Sequence, residues 1–258
     1  MSRVRADVLL VSRGLAESRA KARAAIEAGG VTADGAIVEK PSDLLREDAA
    51  LEATAPHPWV SRGGVKLAAA LDAFGVDPRG RVCLDVGAST GGFTDVLLAR
   101  GAAKVYAVDV GGGQLHARLR ADARVASLEH TDARALTRDH IPEAPSLIVC
   151  DVSFIGAAKA LAAPLSLAAA RADLIALIKP QFEAGPHKRA VLDEATARAA
   201  GEQAIAALDG LAGFARLAAI DSPIRGGDGN LELLLHARRS PARGRGGDPG
   251  AKQGATEG

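Results

Sequence analysis

The sequence is poor in aromatic residues, in cysteine and in net charge. One Trp, one Tyr and five Phe among 258 residues argue against a platform that stacks several bases of a single strand. The two cysteines, Cys83 and Cys150, each sit inside an apolar run. A disulfide framework or a metal site needs more ligands than that, so two buried free thiols and no metal are expected. No apolar run approaches the roughly 18 residues of a membrane helix. The stretch Val8 to Val11 is also too short for the apolar core of a signal peptide. A cytoplasmic protein with no membrane partner is expected. A net charge of +1 neither demands nor excludes nucleic acid, so the distribution of charge has to decide.

What the chain does have is a glycine-rich turn in a telling place. Val82-Cys83-Leu84-Asp85-Val86 is a short apolar run carrying an acid near its end. Gly87-Ala88-Ser89-Thr90-Gly91-Gly92 follows, and Phe93 to Leu98 reads as a helix. Strand, tight loop and helix N-terminus make the ligand corner of a doubly wound sheet. Gly87, Gly91 and Gly92 allow a sharp turn and a ligand close to the backbone. The spacing lacks the first Gly-x-Gly pair of the dinucleotide fingerprint. It resembles instead the first motif of S-adenosylmethionine-dependent methyltransferases. That resemblance implies cofactor contacts from Asp85, Gly87, Ala88, Ser89, Gly91, Gly92 and Phe93. Taken alone, the loop also fits a glycine turn closing an ordinary βα unit.

Residues 1–55 form a unit of their own. Arg5 to Arg13 predicts a short helix, and Ser18 is placed to cap a second from Arg19 to Ala28, closed by Gly29-Gly30. Val31 to Ala33, Asp34-Gly35 and Ala36 to Val38 spell strand, turn, strand. Arg3, Arg5, Arg13, Arg19, Lys21 and Arg23 oppose only Asp7, Glu17 and Glu27 in this stretch. Arg19 and Arg23, four apart, share a helix face. Such a surface suits phosphate, and a merely solvated face is the competing reading. The order Arg-x-Asp-x-x-Leu, Gly-Leu-x-x-Ser-Arg-x-x-Ala-Arg and Ile-x-x-Gly-x-Val-x-x-Asp-Gly resembles the small S4-like RNA-binding domain. It implies an α+β fold and a structured RNA gripped by Arg5, Arg19 and Arg23.

Residues 56–62 read as a proline-punctuated linker. From 63 to 239 strand and helix patterns alternate. Strands are predicted at Val82–Asp85, Val105–Asp109, Val125–Leu128, Leu147–Asp151, Leu174–Lys179, Ala215–Ala219 and Leu231–Ala237. Helices are predicted at Phe93–Ala99, Gln114–Arg120, Ala157–Ala170 and Asp193–Leu208. An α/β domain with a mainly parallel, Rossmann-like sheet follows, with ligands at the carboxyl ends of its strands. Residues 240–258 are rich in Gly, Pro and Arg, and disorder is expected there.

Acids recur at those strand ends. Asp109 is placed to accept from ribose hydroxyls, Asp132 from an adenine amino group, and Asp151 ends the fourth strand. Lys179 closes the apolar run Leu174 to Ile178, where an ammonium needs a partner. Asp151, on the neighbouring strand end, is the natural one. Glu232 puts another charge into the apolar run Leu231 to Leu235, and Lys66 brings a second lysine towards the loop. A structural ion network is the alternative to a reaction centre.

Lys66, Asp151, Lys179 and Glu232 match the Lys-Asp-Lys-Glu set of FtsJ-type ribose 2′-O-methyltransferases. Across both domains the chain resembles the TlyA family of rRNA cytidine 2′-O-methyltransferases, some of which carry a haemolysin label. The phrases Ser61-Arg62-Gly63-Gly64, Cys83 to Asp95, Val108-Asp109-Val110, Gly113-Gln114-Leu115, Asp151-Val152-Ser153-Phe154-Ile155, Lys179-Pro180-Gln181-Phe182-Glu183 and Gly229-Asn230-Leu231-Glu232 carry that likeness. It implies S-adenosylmethionine as cofactor. It also implies ribosomal RNA or a ribosomal subunit as partner, not DNA, with Arg62 joining the RNA contacts. The sequence departs from the family pattern at Ala184 to Leu192, which is shorter and lacks the glycine-rich stretch. It departs again at Thr131-Asp132-Ala133-Arg134, where Asn is usual at the second position.

The implied chemistry is in-line transfer to a ribose 2′-oxygen. Lys179 either takes the hydroxyl proton as a neutral base or, charged, stabilises the developing alkoxide. Two other classes stay in view. One is a non-catalytic RNA-binding factor in ribosome assembly, which has no use for four charges at strand ends. The other is a membrane-lytic protein, which lacks a span or strongly basic amphipathic helix in this sequence.

Overall fold

The computed structural model describes residues 3–27, 30–53, 57–185, 191–226 and 228–240, in two units that divide between Pro58 and Trp59. The first unit runs β1 (Arg3–Arg5), α1 (Ala6–Ser12), α2 (Arg19–Glu27), β2 (Val31–Ala33), β3 (Ala36–Ile37), β4 (Leu44–Arg46) and β5 (Leu51–Ala53). The Ser18 hydroxyl accepts the Lys21 N–H at 3.3 Å, as a helix cap does. Asp34 and Gly35 both take positive φ, 51° and 82°, the turn that matches the twist of a two-residue hairpin. β2 lies between β3 and β5, and β1 pairs with β4. Ala6, Leu10, Ala22, Ile26, Val31 and Val38 form the small core. Strands β1, β4 and β5 were not expected. Each is three residues long and owes its form to pairing, with no periodicity of its own to announce it. The expected Gly29-Gly30 stop lies partly outside the described residues.

The second unit continues with α3 (Gly63–Phe74), β6 (Val82–Val86), α4 (Gly92–Ala99), β7 (Lys104–Val108), α5 (Ala117–Arg120), β8 (Val125–Leu128), β9 (Leu147–Cys150) and α6 (Ala157–Ser166). It ends with β10 (Ala172–Ile178), α7 (Pro180–Glu183), α8 (Glu194–Leu208), β11 (Phe214–Asp221) and β12 (Leu233–Arg239). The sheet order is β11-β12-β10-β9-β6-β7-β8. β8, β7, β6, β9 and β10 are mutually parallel, and β12 runs antiparallel to both of its neighbours. Both faces of the inner strands β6, β7, β9 and β10 are covered, so these strands are largely apolar on both sides. Leu174, Ala176 and Ile178 of β10 face one core with Leu161 and Ile205, while Ile175 and Leu177 face the other with Leu67 and Leu97. From β6 the chain proceeds to β7 and β8 on one side, then to β9 and β10 on the other. The switch point lies between β6 and β9, where open α/β sheets bind ligands.

Four expectations need correction. α5 begins at Ala117, not Gln114, because the Glu129 carboxylate accepts the N–H groups of Gln114 (2.7 Å) and Leu115 (3.2 Å). α6 stops at Ser166. Pro164 interrupts its ladder, and the Arg239 guanidinium takes the carbonyls of Leu165 (3.3 Å) and Ala169 (2.7 Å). Glu232 precedes β12, which begins at Leu233, instead of lying inside the strand predicted from Leu231. Trp59 to Arg62, read as linker, belong to the second unit, where the Val60 N–H donates to Asp95 at 3.0 Å. Of the expected tail, all but Ser240 lies outside the described residues, as do residues 186–190 of the shortened loop.

Candidate active site

The glycine loop turns the chain from β6 into α4 at the switch point. Gly87 has φ 83°, and a Cβ there would lie 2.7 Å from the Asp151 carbonyl oxygen. Gly91, the N-cap of α4, has φ 95°, and a Cβ there would meet Leu119 at 2.4 Å and Leu115 at 2.8 Å. Only glycine satisfies both the angle and the space. The expected reason for these glycines is therefore revised. Gly87 lets the loop lie against β9, and Gly91 lets it lie against α5.

Asp85 is fully buried beneath the loop and lines neither cavity described below. The Thr94 hydroxyl donates to it at 2.7 Å. Burial pushes its carboxyl up to about 7, against the pull of the Thr94 bond. Asp85 thus braces the start of α4 from beneath the loop.

Beside the loop opens a cavity of about 460 Å³ lined by Ser89, Asp109, Val110, Asp132, Asp151 and Phe154, among others. Asp109 accepts the Ser89 N–H and the Gly111 N–H, both at 2.8 Å. Each of its oxygens keeps a second lone pair. Asp132 pairs with Arg134 at 2.6 Å and caps the short turn that follows, and the Arg134 bonds hold its carboxyl below the usual range. An adjoining hollow of about 300 Å³ shares Gly87, Ser89, Asp151 and Ser153 with the first, and adds Arg62, Lys66, Ala88, Gly92, Phe93 and Lys179. Of the residues assigned to the cofactor from sequence, Asp85 and Gly91 alone line neither space.

The four tetrad residues form two ion pairs. Lys179 Nζ lies 2.6 Å from Asp151 Oδ1 and donates to the Ser153 hydroxyl at 2.9 Å. Lys66 Nζ donates to Glu232 Oε2, both groups buried. Pro180 at the first position of α7 starts a new helix immediately after β10, which leaves Lys179 at the strand end. Lys66, Asp151 and Lys179 line the hollow, and Glu232 reaches it through Lys66.

Two residues of consequence have no role in the sequence reading. Ser153 is one. Phe154 is the other, 90 % exposed at the cavity rim with φ 66° and its ring 5.0 Å from that of Phe182. For a bulky residue left-handed backbone is strained, and its surroundings hold it there. In so aromatic-poor a chain, an aromatic three residues after Asp151 was the available signal. Of the predicted RNA contacts, Arg62 is exposed at the hollow. In the first unit Arg23 is exposed, while Arg5 and Arg19 both pair with the buried Asp7, at 3.0 and 2.9 Å.

This geometry accords with what related proteins are. An FtsJ-like methyltransferase model matches residues 59–239 and an S4 domain model residues 4–51. The 16S/23S rRNA (cytidine-2′-O)-methyltransferase TlyA of Mycobacterium tuberculosis is 44% identical over 246 residues, covering 93% of this chain and 92% of its own. Hemolysin A of Brachyspira hyodysenteriae is 39% identical over 238 residues, 90% of this chain and 99% of its own. A solved hemolysin-type structure from Streptococcus thermophilus superposes with TM-score 0.72 at 37% identity, covering 93% of this chain and 90% of that one. Among the described residues no helix is long and apolar enough to cross a membrane, and no group of His, Cys, Asp or Glu could hold a metal ion. Extending over both units, these likenesses show that the chain belongs to the TlyA family of FtsJ-like methyltransferases and carries the family's S4 domain.

Proposed function

We propose that this protein methylates a ribose 2′-hydroxyl, that of a cytidine in ribosomal RNA, with S-adenosylmethionine as donor. The observation that carries the reading is the Lys179–Asp151 pair, at 2.6 Å and open to the hollow beside the glycine loop. Cavity size and donor set suit the cofactor. About 460 Å³ accommodates a ligand of that size, Asp109 retains lone pairs for ribose hydroxyls, and Asp132 offers a carboxylate to an adenine amino group. Gly87 to Phe93, less the inward-facing Gly91, line the methionine end. Bound there, S-adenosylmethionine supplies an electrophilic methyl group on a sulfonium.

The residues of the chain do the rest. Lys179, fixed by Asp151 and Ser153, hydrogen-bonds the 2′-oxygen and stabilises the negative charge that develops there as the O–C bond to the methyl forms and the hydroxyl proton passes to solvent. Lys66, backed by Glu232, adds a second ammonium to the wall of the hollow. Phe154 offers an aromatic face on which an unstacked base can rest. Arg62 lies where an RNA phosphate would pass, and the first unit supplies affinity for structured RNA through its arginines.

Ribosomal subunits from cells lacking this protein, incubated with it and methyl-labelled cofactor, should yield labelled 2′-O-methylcytidine on nucleoside analysis. Label on a base, or none at all with cofactor and subunits demonstrably bound, would overturn the reading.

A further inference from the structure

We infer that Asp7 is a positioning residue for RNA recognition, its buried carboxylate fixing the guanidinium groups of Arg5 and Arg19 side by side as one phosphate-binding surface. The inference rests on the RNA-binding role proposed above for the first unit. Asp7 has no exposed surface. Its Oδ1 accepts from Arg5 Nε at 3.0 Å, and its Oδ2 accepts from Arg5 Nη2 at 3.3 Å and from Arg19 Nη2 at 2.9 Å. Arg5 ends β1 and Arg19 begins α2, so one carboxylate ties two separate elements together. Backbone bonds hold it in place, since Ala6 N–H donates to the Asp43 carbonyl at 2.8 Å and Asp7 N–H to that of Pro41 at 3.1 Å.

The donor count makes this an organised surface and not a cancelled charge. A guanidinium has five N–H donors in a fixed plane. Asp7 engages Nε and Nη2 of Arg5 and Nη2 of Arg19, and among the described residues Nη1 of neither arginine has a partner. Two arginines against one carboxylate leave a net positive charge. Arg23, one turn beyond Arg19 on α2, is exposed and extends the surface. Held guanidinium planes bind phosphate oxygens without first losing side-chain freedom. The chemistry recognised is that of two neighbouring phosphates in a folded RNA backbone.

The test sets geometry against charge. Asp7→Asn removes a negative charge from an RNA-binding surface, so simple electrostatics predicts tighter binding. The positioning role predicts the opposite, a loss on the order of tenfold in affinity for a structured rRNA fragment. It also predicts a shallower salt dependence by about one counterion. Cofactor affinity should not move, which a merely structural defect of the chain would not guarantee. Should Asp7→Asn fail to fold on a thermal melt, Arg19→Lys decides, since it keeps the charge and loses the planar fork. A several-fold loss supports the inference. Unchanged or tighter RNA binding in a folded Asp7→Asn protein, or unchanged binding in Arg19→Lys, overturns it. The Arg19→Ala/Arg23→Ala double variant separates the two layers. If it binds RNA normally, the RNA-binding role itself fails. If it binds weakly while Asp7→Asn does not, only the positioning role fails.

Discussion

The two units set cations against acids in opposite ways. In the first, one fully buried carboxylate serves two arginines whose side chains stay 45% and 61% exposed. In the second, two carboxylates serve two lysines one to one and all four are more withdrawn: 9% and 3% exposed for the buried Lys66 and Glu232, 13% and 22% for Lys179 and Asp151, which line the hollow. Paired charges left reaching into water attract a polyanion from a distance and hold it in a salt-dependent way. Those drawn under the surface act on whatever is brought against them, in a medium where each charge counts for more. On the function proposed above, this difference fits affinity in the first unit and chemistry in the second.

The largest effect should come from Asp151→Asn. It strips Lys179 of its counter-charge yet leaves the glycine loop in place. Methyl transfer is expected to fall by on the order of 10²-fold or more, with RNA affinity unchanged. Near-normal turnover would show that the inner pairs are structural and break the comparison at its stronger end.

Glu232→Ala should be felt first in stability. It leaves the Lys66 ammonium buried and alone, a situation that costs about 3–5 kcal/mol. Thermal melts that match the wild type would mean that Lys66 finds water or another acid.

Arg19→Ala/Arg23→Ala should weaken binding to ribosomal subunits and lower the salt slope by about 2. The rate at saturating substrate should be kept. A loss of that rate at saturation would mean that the first unit takes part in the chemical step.

The smallest effects sharpen the contrast between two fully buried acids. Asp7 is held down at about 2, first by the bond from Arg5 and then by that from Arg19, whereas burial raises Asp85 to about 7. The signs follow by linkage. Asp7 contributes stability that is present above about pH 4 and lost as the pH falls through about 2. Asp85 contributes stability that is complete below about pH 4 and lost as the pH rises through about 7. The protection of the Ala6 to Leu10 amides, taken relative to the intrinsic exchange rate at each pH, should therefore fall in acid. The melting temperature of Asp85→Asn should gain on that of the wild type between pH 4 and pH 8. A gap between those two proteins that stays constant with pH would mean that Asp85 is charged throughout.

Much of this was legible in the chain, because the inner strands of the large sheet are buried on both faces. β6, β7, β9 and β10 are short, largely apolar runs, while the edge strand β11 is half exposed, and the strand ends deviate from expectation by a few residues at most. Lys179 and Asp151 were legible for the same reason, since a lysine closing such a run requires an acid beside it. Three things were not. Strands β1, β4 and β5 of the first unit are made by pairing, which leaves no local trace. Asp85 has the spacing of a ligand contact, and only its burial beneath the loop shows it as a brace. Gly91 reads as room for a cofactor, and only the nearness of Leu115 and Leu119 shows which side of the loop it serves.

The division of labour between the units comes down to Lys179. Single-turnover methyl transfer by Lys179→Ala should be measured with ribosomal subunits and S-adenosylmethionine both saturating, alongside a thermal melt and titrations of each ligand. The expected result is a folded protein with near-normal affinities whose transfer rate is lower by 10²-fold or more. A folded Lys179→Ala protein that transfers methyl at close to the wild-type rate would contradict the account.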